Sequence, residues 1–227
     1  METQTKTRQP RIVRGRTELY IPHQNTEIAF AYPSVGLNTY TKAMKGVLEQ
    51  KQRLPTGDEI ASLVHSAYFS DSKDEPEFDN IRKLMRNKWL WVPNRNLWTK
   101  DGVYVVYDEK GVGRTEELDI SKLEKILKGA EEIKGVRFSE DGKVRFAPKE
   151  TYKGGEQTFE DFSNNGSVIA NYGVEGAEKL AEVSKKFKNN PYVWVLETNQ
   201  PEQRISPSAL CGSVGVRVIA GGDYFGD

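Results

Sequence analysis

Two kinds of apolar spacing run through this chain, and they follow one another without a fixed rhythm. Some stretches repeat apolar side chains every three or four residues, the spacing of one helix face. Others are short β-branched and aromatic runs bounded by Pro, Gly or Asn, the mark of a strand. Tyr40, Ala43, Met44, Val47 and Leu48 define a first helix over 38–50. Ile60, Leu63, Val64, Ala67 and Tyr68 define a second, behind a Thr56–Glu59 capping box. Phe78, Ile81, Leu84 and Met85 define a third over 77–88, and Leu123, Ile126 and Leu127 a fourth behind a Ser121–Glu124 pair. Residues 173–187 make a fifth. Strands are predicted at 11–21, 28–32, 89–92, 103–107, 167–172, 192–196 and 214–220, with a turn at 93–96 and a polar loop at 199–207. Parallel sheets need a regular strand–helix–strand order that is missing here, and Asp101-Gly102 signals a hairpin. The fold class is therefore α+β, with mixed or mainly antiparallel sheets, hairpins and about five helices.

The segment 136–146, VRFSEDGKVRF, is the clearest local structure. A two-residue loop at Asp141-Gly142 sets Phe138 opposite Arg145. A three-residue loop, 140–142, sets Phe138 opposite Val144 and Val136 opposite Phe146, and it is preferred because apolar side chains then share a face. That register also sets Arg137 opposite Arg145. Facing like charges call for solvent, an acidic neighbour or a bound anion, so both arginines are candidate anion-binding residues.

At about 150 residues per domain, 227 residues allow one large domain or two small ones. The Gly- and charge-rich stretch 109–117 suggests two packed subdomains, 1–110 and 116–227, or one continuous domain. The 23 aromatic residues exclude a disordered chain. Cys211 stands alone, which excludes an internal disulfide and paired-Cys zinc sites and makes a reducing compartment the default. His23 and His65 are the only histidines, with no metal-ligand spacing between them. No leader-like apolar core and no run of about 18 apolar residues is present, so the expectation is a soluble cytoplasmic protein with no membrane partner. Asn165-Gly166-Ser167 matches a glycosylation sequon by chance. Gly111-Val112-Gly113 lacks the third glycine of a dinucleotide loop, and no phosphate-binding loop motif occurs. No cofactor and no metal is expected.

The 33 basic and 33 acidic residues cancel, which argues against indiscriminate polyanion binding. The balance is local, however. Residues 1–100 carry 16 basic and 11 acidic groups, and 101–227 carry 17 and 22. Arg82, Lys83, Arg86, Lys88, Arg95 and Lys100 lie in an acid-free stretch with Trp89, Trp91 and Trp98, and the arm adds Lys6, Arg8, Arg11, Arg14 and Arg16. Cations interleaved with aromatic rings are what single-stranded nucleic acid requires, since cations neutralise phosphates and rings stack on bases. The competing structural reading makes Arg82, Lys83 and Arg86 the wet face of a helix and Trp89 and Trp91 core residues.

The leading expectation is a non-enzymatic module binding single-stranded nucleic acid or another polyanion through Arg82, Arg86, Lys88, Trp89, Trp91, Arg95, Trp98 and Lys100. One alternative is a carboxylate-based hydrolase, with Asp71, Asp74, Glu75, Glu77, Asp79, Glu160 and Asp161 as its acids. Another is an interaction protein whose tryptophan-rich strands meet a protein partner or a second copy. No catalytic residue is assigned. Cys211 lacks a recognisable histidine partner.

Overall fold

The computed structural model describes residues 11–13, 18–35, 38–196, 204–212 and 215–219. Strands β1 (Arg11–Val13), β2 (Glu18–His23) and β3 (Thr26–Ala31) form a three-stranded antiparallel sheet. Helices α1 (Tyr40–Glu49), α2 (Gly57–Phe69) and α3 (Pro76–Asn87) follow, then the hairpin β4 (Leu90–Trp98) and β5 (Gly102–Tyr107). Next come α4 (Ile120–Ile126), β6 (Glu131–Ile133), β7 (Val136–Phe138), β8 (Val144–Pro148) and β9 (Gly155–Glu156). The chain closes with α5 (Phe159–Ser163), α6 (Gly166–Ser184), β10 (Tyr192–Trp194), β11 (Arg204–Cys211) and β12 (Arg217–Ile219). Strands four to twelve form one nine-stranded sheet ordered β6-β7-β8-β5-β4-β11-β12-β10-β9, and among the described residues only the β10–β12 pairing is parallel. The class is α+β, with six helices among the described residues.

Strand alternation divides the core. Trp98, Val103 and Ala147 lie on one face of the large sheet and pack with Ile60, Val64, Ile169 and Leu180 of α2 and α6. Leu97, Tyr104 and Phe146 lie on the other and pack with Leu123 of α4 and Leu127. The small sheet lays Leu19 and Ile21 on Leu63, Ala67, Phe78 and Ile81. Both sides of the segment 108–119 supply strands to the large sheet, since β4 pairs with β11 and β5 with β8.

Several local expectations are corrected. Residues 167–172 are helical, the first half of α6, not a strand. A short apolar run buried on all sides has no periodicity to separate the two. The helix starts there because the Asn165 side chain caps it, accepting from Ser167 N, and it turns at Gly173 (φ 72°, ψ 170°). The sequon asparagine is thus a buried cap. Residues 93–96 are not a turn but the interior of β4. The β4–β11 register passes from Arg95↔Pro207 to Val92↔Ser208, leaving Pro93 and Asn94 in a bulge, where a proline without an N–H is tolerated. Residues 204–207, read as loop, belong to β11. The fourth helix is capped by Asp119, which accepts from Ser121 N and Lys122 N, rather than by a Ser121–Glu124 box. The 136–146 hairpin adopts the register set aside above, Arg137↔Phe146 and Phe138↔Arg145. Its mixed pairs are favourable because each guanidinium lies over the opposite ring, Arg137 4.7 Å from Phe146 and Arg145 5.3 Å from Phe138. The arm 1–10, Arg14, Arg16 and the Gly221-Gly222 turn lie outside the described residues.

Helices α1, α2 and α3 lie where their apolar spacing predicts, and the Thr56–Glu59 capping box is present in both directions. Helix α2 begins at Gly57 for a steric reason: a Cβ there would stand 1.9 Å from the Asn171 carbonyl oxygen and 3.2 Å from Asn94 Nδ2. Gly57→Ala should therefore cost about 2–3 kcal/mol as the two helices are forced apart, read as a lower urea midpoint. An unchanged midpoint would contradict this packing.

Candidate functional site

Beneath α6 the sheet carries a polar cluster sealed from water. Asn171 donates to Asn96 Oδ1 (2.9 Å) and to the Ser167 carbonyl (2.9 Å), and its Oδ1 accepts from Ser208 Oγ (2.5 Å). Asn94 donates to the Asn171 carbonyl (2.8 Å), Asn96 to Ser208 Oγ (2.6 Å), and Trp98 Nε1 to Ser206 Oγ (2.9 Å). All three asparagines are satisfied by protein groups, so the cluster is a structural lock rather than an open ligand site.

The basic tryptophan-rich stretch is dispersed by this arrangement. Trp98 is fully buried in the core. Arg95 is also buried, donating to the Gly113 carbonyl (2.7 Å) and to the Glu116 carbonyl, and so pinning the loop after β5. Asp108 closes that loop by accepting from Val112 N, Gly113 N and the Tyr40 hydroxyl (2.9 Å). Burial and the neighbouring Asp108 push the Tyr40 phenol well above its ordinary range. Arg82 is occupied by the Ala67 and Lys73 carbonyls and Asp79. Arg86, Lys88 and Trp89 are exposed where α3 gives way to β4. Trp91 lies edge-on between Trp89 and Tyr40 and donates to the Asn38 carbonyl. Lys100 is exposed at the opposite end of β4, roughly 30 Å along a nine-residue strand. The eight predicted residues therefore share no face.

The hairpin arginines each hold a carboxylate. Arg137 forks onto Glu124 (2.7 and 3.1 Å), and Arg145 meets both Asp58 oxygens (2.9 and 3.0 Å) and the Ala170 carbonyl. The Arg137 guanidinium, aided by the Tyr104 hydroxyl, holds the Glu124 carboxyl below its ordinary range.

The cysteine, the two histidines and two of the candidate acids each have a definite setting. Burial pushes the Cys211 thiol up, away from the thiolate. His65 pairs with Glu182 (2.8 Å) and stacks on Phe69. His23 Nδ1 lies 2.9 Å from Ser62 Oγ, a base–nucleophile distance that the sequence reading missed. Ser62 is only 1% exposed, however, and its hydroxyl also contacts the Asp58 carbonyl and Lys179 Nζ, which makes it a tie between the small sheet, α2 and α6. Asp79 is taken by Lys83 and Arg82, and Asp161 lies 3.6 Å from Lys153. Among the described residues no three His, Cys, Asp or Glu side chains converge, and no helix is long and apolar enough to cross a membrane.

What the fold does create is a cavity of about 460 Å³ between the small sheet, α1, α2, α3 and the start of β4. Ile28 and Phe30 form one wall, Met44 and Val47 a second, and Leu63 and Leu84 a third. Trp89 and Trp91 also line it. Its charged corner is Arg53, forked onto Glu59, and that carboxylate also accepts from Thr56 N (2.9 Å) as part of the helix cap. The helical lining residues Met44, Val47, Leu63 and Leu84 are legible in the sequence as the apolar faces of their helices. The space between them was not, because no sequence signal says that four apolar faces will fail to meet.

No family model matches the chain, and no curated protein matches it. It is similar to a solved structure described as "Accommodation of massive sequence variation in Nanoarchaeota by the C-type lectin fold", at 15% identity and a TM-score of 0.48, over 82% of this chain and 88% of that one. A likeness of that degree carries no argument about function.

The Glu124–Arg137 pair has a signed pH dependence. A carboxyl held below its ordinary value of 4.5 stabilises the fold above that value, and the contribution disappears as pH falls through the depressed one. Both side chains are partly exposed, so the effect is at most about 1 kcal/mol. Urea midpoints of the parent chain and Glu124→Gln should differ at pH 7 and converge as pH falls through the depressed value.

Proposed function

We propose that the protein is a non-enzymatic binding protein that holds a predominantly apolar small molecule between its small sheet and helices α1–α3. The observation that carries this reading is the cavity. Its volume lies within the range of about 300–1,000 Å³ common for ligand sites, and its walls are apolar with few polar groups. An apolar void forfeits dispersion contacts along its lining, and a ligand restores them. Among the described lining residues the one cation, Arg53, is already matched by Glu59, and the remaining acid, Glu18, accepts from the Tyr20 hydroxyl (2.7 Å), so no cation is left to call for an anionic ligand. The half-buried lone thiol Cys211 suits a reducing, cytoplasmic setting.

A neutral solvatochromic dye such as Nile red is expected to bind with a blue-shifted emission and to perturb the fluorescence of Trp89 and Trp91. Ala43→Trp fills the cavity from α1 and should weaken the dye at least about tenfold while the chain stays folded. Undiminished binding in that variant would overturn the reading.

Polyanion binding is the second reading, supported by the adjacent exposed Arg86, Lys88 and Trp89. It predicts that a single-stranded oligonucleotide binds with steep salt dependence, and that Arg86→Ala with Lys88→Ala flattens the slope. Salt-insensitive binding would exclude it.

A further inference from the structure

At the far edge of the large sheet, a row of cross-strand partners faces away from α6. Tyr192 of β10 sits opposite Glu156 of β9 and Arg217 of β12, and directly paired residues point to the same side. The side chain between Tyr192 and Trp194, Val193, is fully buried among the core residues, so the alternate positions face outward. The turn 188–190 rises beside this row and closes a polar pocket of about 360 Å³. Lys188, Asn189, Asn190, Tyr192, Arg217 and Glu156 line it. Trp194 lies two residues beyond Tyr192 on the same face, with its ring 5.1 Å from the tyrosine ring and 43% exposed.

Two features mark this pocket. Among the described residues neither Lys188 nor Arg217 has a carboxylate within ion-pair distance. The single acid, Glu156, is engaged by Asn190 Nδ2 at 3.0 Å, so the lining keeps a balance of one positive charge. The second feature is the exposed aromatic pair at its edge. Large aromatic side chains are usually covered, and a Trp left open beside a Tyr offers a flat apolar platform.

We infer that this pocket binds a nucleoside phosphate unit, with the phosphate between Lys188 and Arg217 and the base stacked on Trp194. A cationic polar pocket alone would select any small anion, and an aromatic platform alone any flat ring. A nucleoside phosphate carries both. Arg217 supplies a planar fork for phosphate oxygens, Lys188 a point charge, and the amides of Asn189 and Asn190 neutral donors. Glu156 opposes the anion, which gives the site a signature: removing that charge should tighten binding. A neutral polyhydroxylated ligand would instead lose an acceptor. The pocket lies on other elements than the apolar cavity, so this inference stands apart from the proposed function.

The test is calorimetric titration of the full chain with adenosine monophosphate, adenosine, inorganic phosphate and a short oligodeoxyadenylate. The monophosphate should bind at least about tenfold more tightly than adenosine or phosphate alone. Arg217→Ala and Trp194→Ala should each weaken it about tenfold, and Glu156→Gln should strengthen it several-fold, with circular dichroism unchanged. If the oligonucleotide alone binds and shows the same three responses, the nucleoside phosphate is recognised as part of a strand, and the inference holds. Phosphate binding as tightly as the monophosphate, weaker binding in Glu156→Gln, binding indifferent to Arg217→Ala and Trp194→Ala, or no binding of either nucleotide probe at millimolar concentration would each overturn it.

Discussion

The carbonyl of Asn171 occupies the space that a side chain on Gly57 would need, and the rest of the helical layer is arranged around that approach. With α2 and α6 so close, Asp58 reaches Arg145 on β8 and also crowds the kink at Gly173, where an added Cβ would lie 2.6 Å from its carboxylate. The Asn171 side chain then reaches down to Asn96 and Ser208 on the two central strands. Buried amides without partners would cost about 1–3 kcal/mol each, so any slip of helix over sheet breaks several bonds together. One steric contact and one satisfied polar cluster thus fix the depth and the register at which the helices sit.

The charge distribution is settled by the same geometry. The two halves of the chain carry opposite balances, yet they do not simply dock basic on acidic. One partly buried pair that joins them runs the other way, from Arg145 in the acidic half to Asp58 in the basic half. Much of the basic stretch does structural work: Arg82 and Arg95 cap carbonyls of nearby loops, and Trp98 fills the core beneath α6. What remains at the surface is divided between the end of α3 and the far end of the β4–β5 hairpin.

The elements that the chain announces most clearly are those with a strong local period. Helices α1, α2 and α3 follow from apolar side chains at three- and four-residue spacing, and α2 also from its capping box. Misreadings fall where burial is complete or pairing is mixed. The run 167–172 is buried on every side, so its helix is visible only once Asn165 is seen to cap it. The 136–146 register depends on guanidinium–ring contacts across the hairpin, which a rule about matching apolar faces ranks the wrong way. In β4 the bulge at Pro93 and Asn94 hides a nine-residue strand behind a turn signature.

Periodicity and capping, acting within a few residues, determined by themselves that the chain is α+β, where α1, α2 and α3 lie, and which of their side chains face inward. Only the tertiary structure decided where those inward faces meet and where they leave space. The cavity beside β3 and the cationic aromatic pocket beside β10 are each lined from several separate segments. Their volume and charge depend on distances between elements far apart in the chain, and those distances are set by close contacts such as Gly57 against Asn171, which no local pattern encodes.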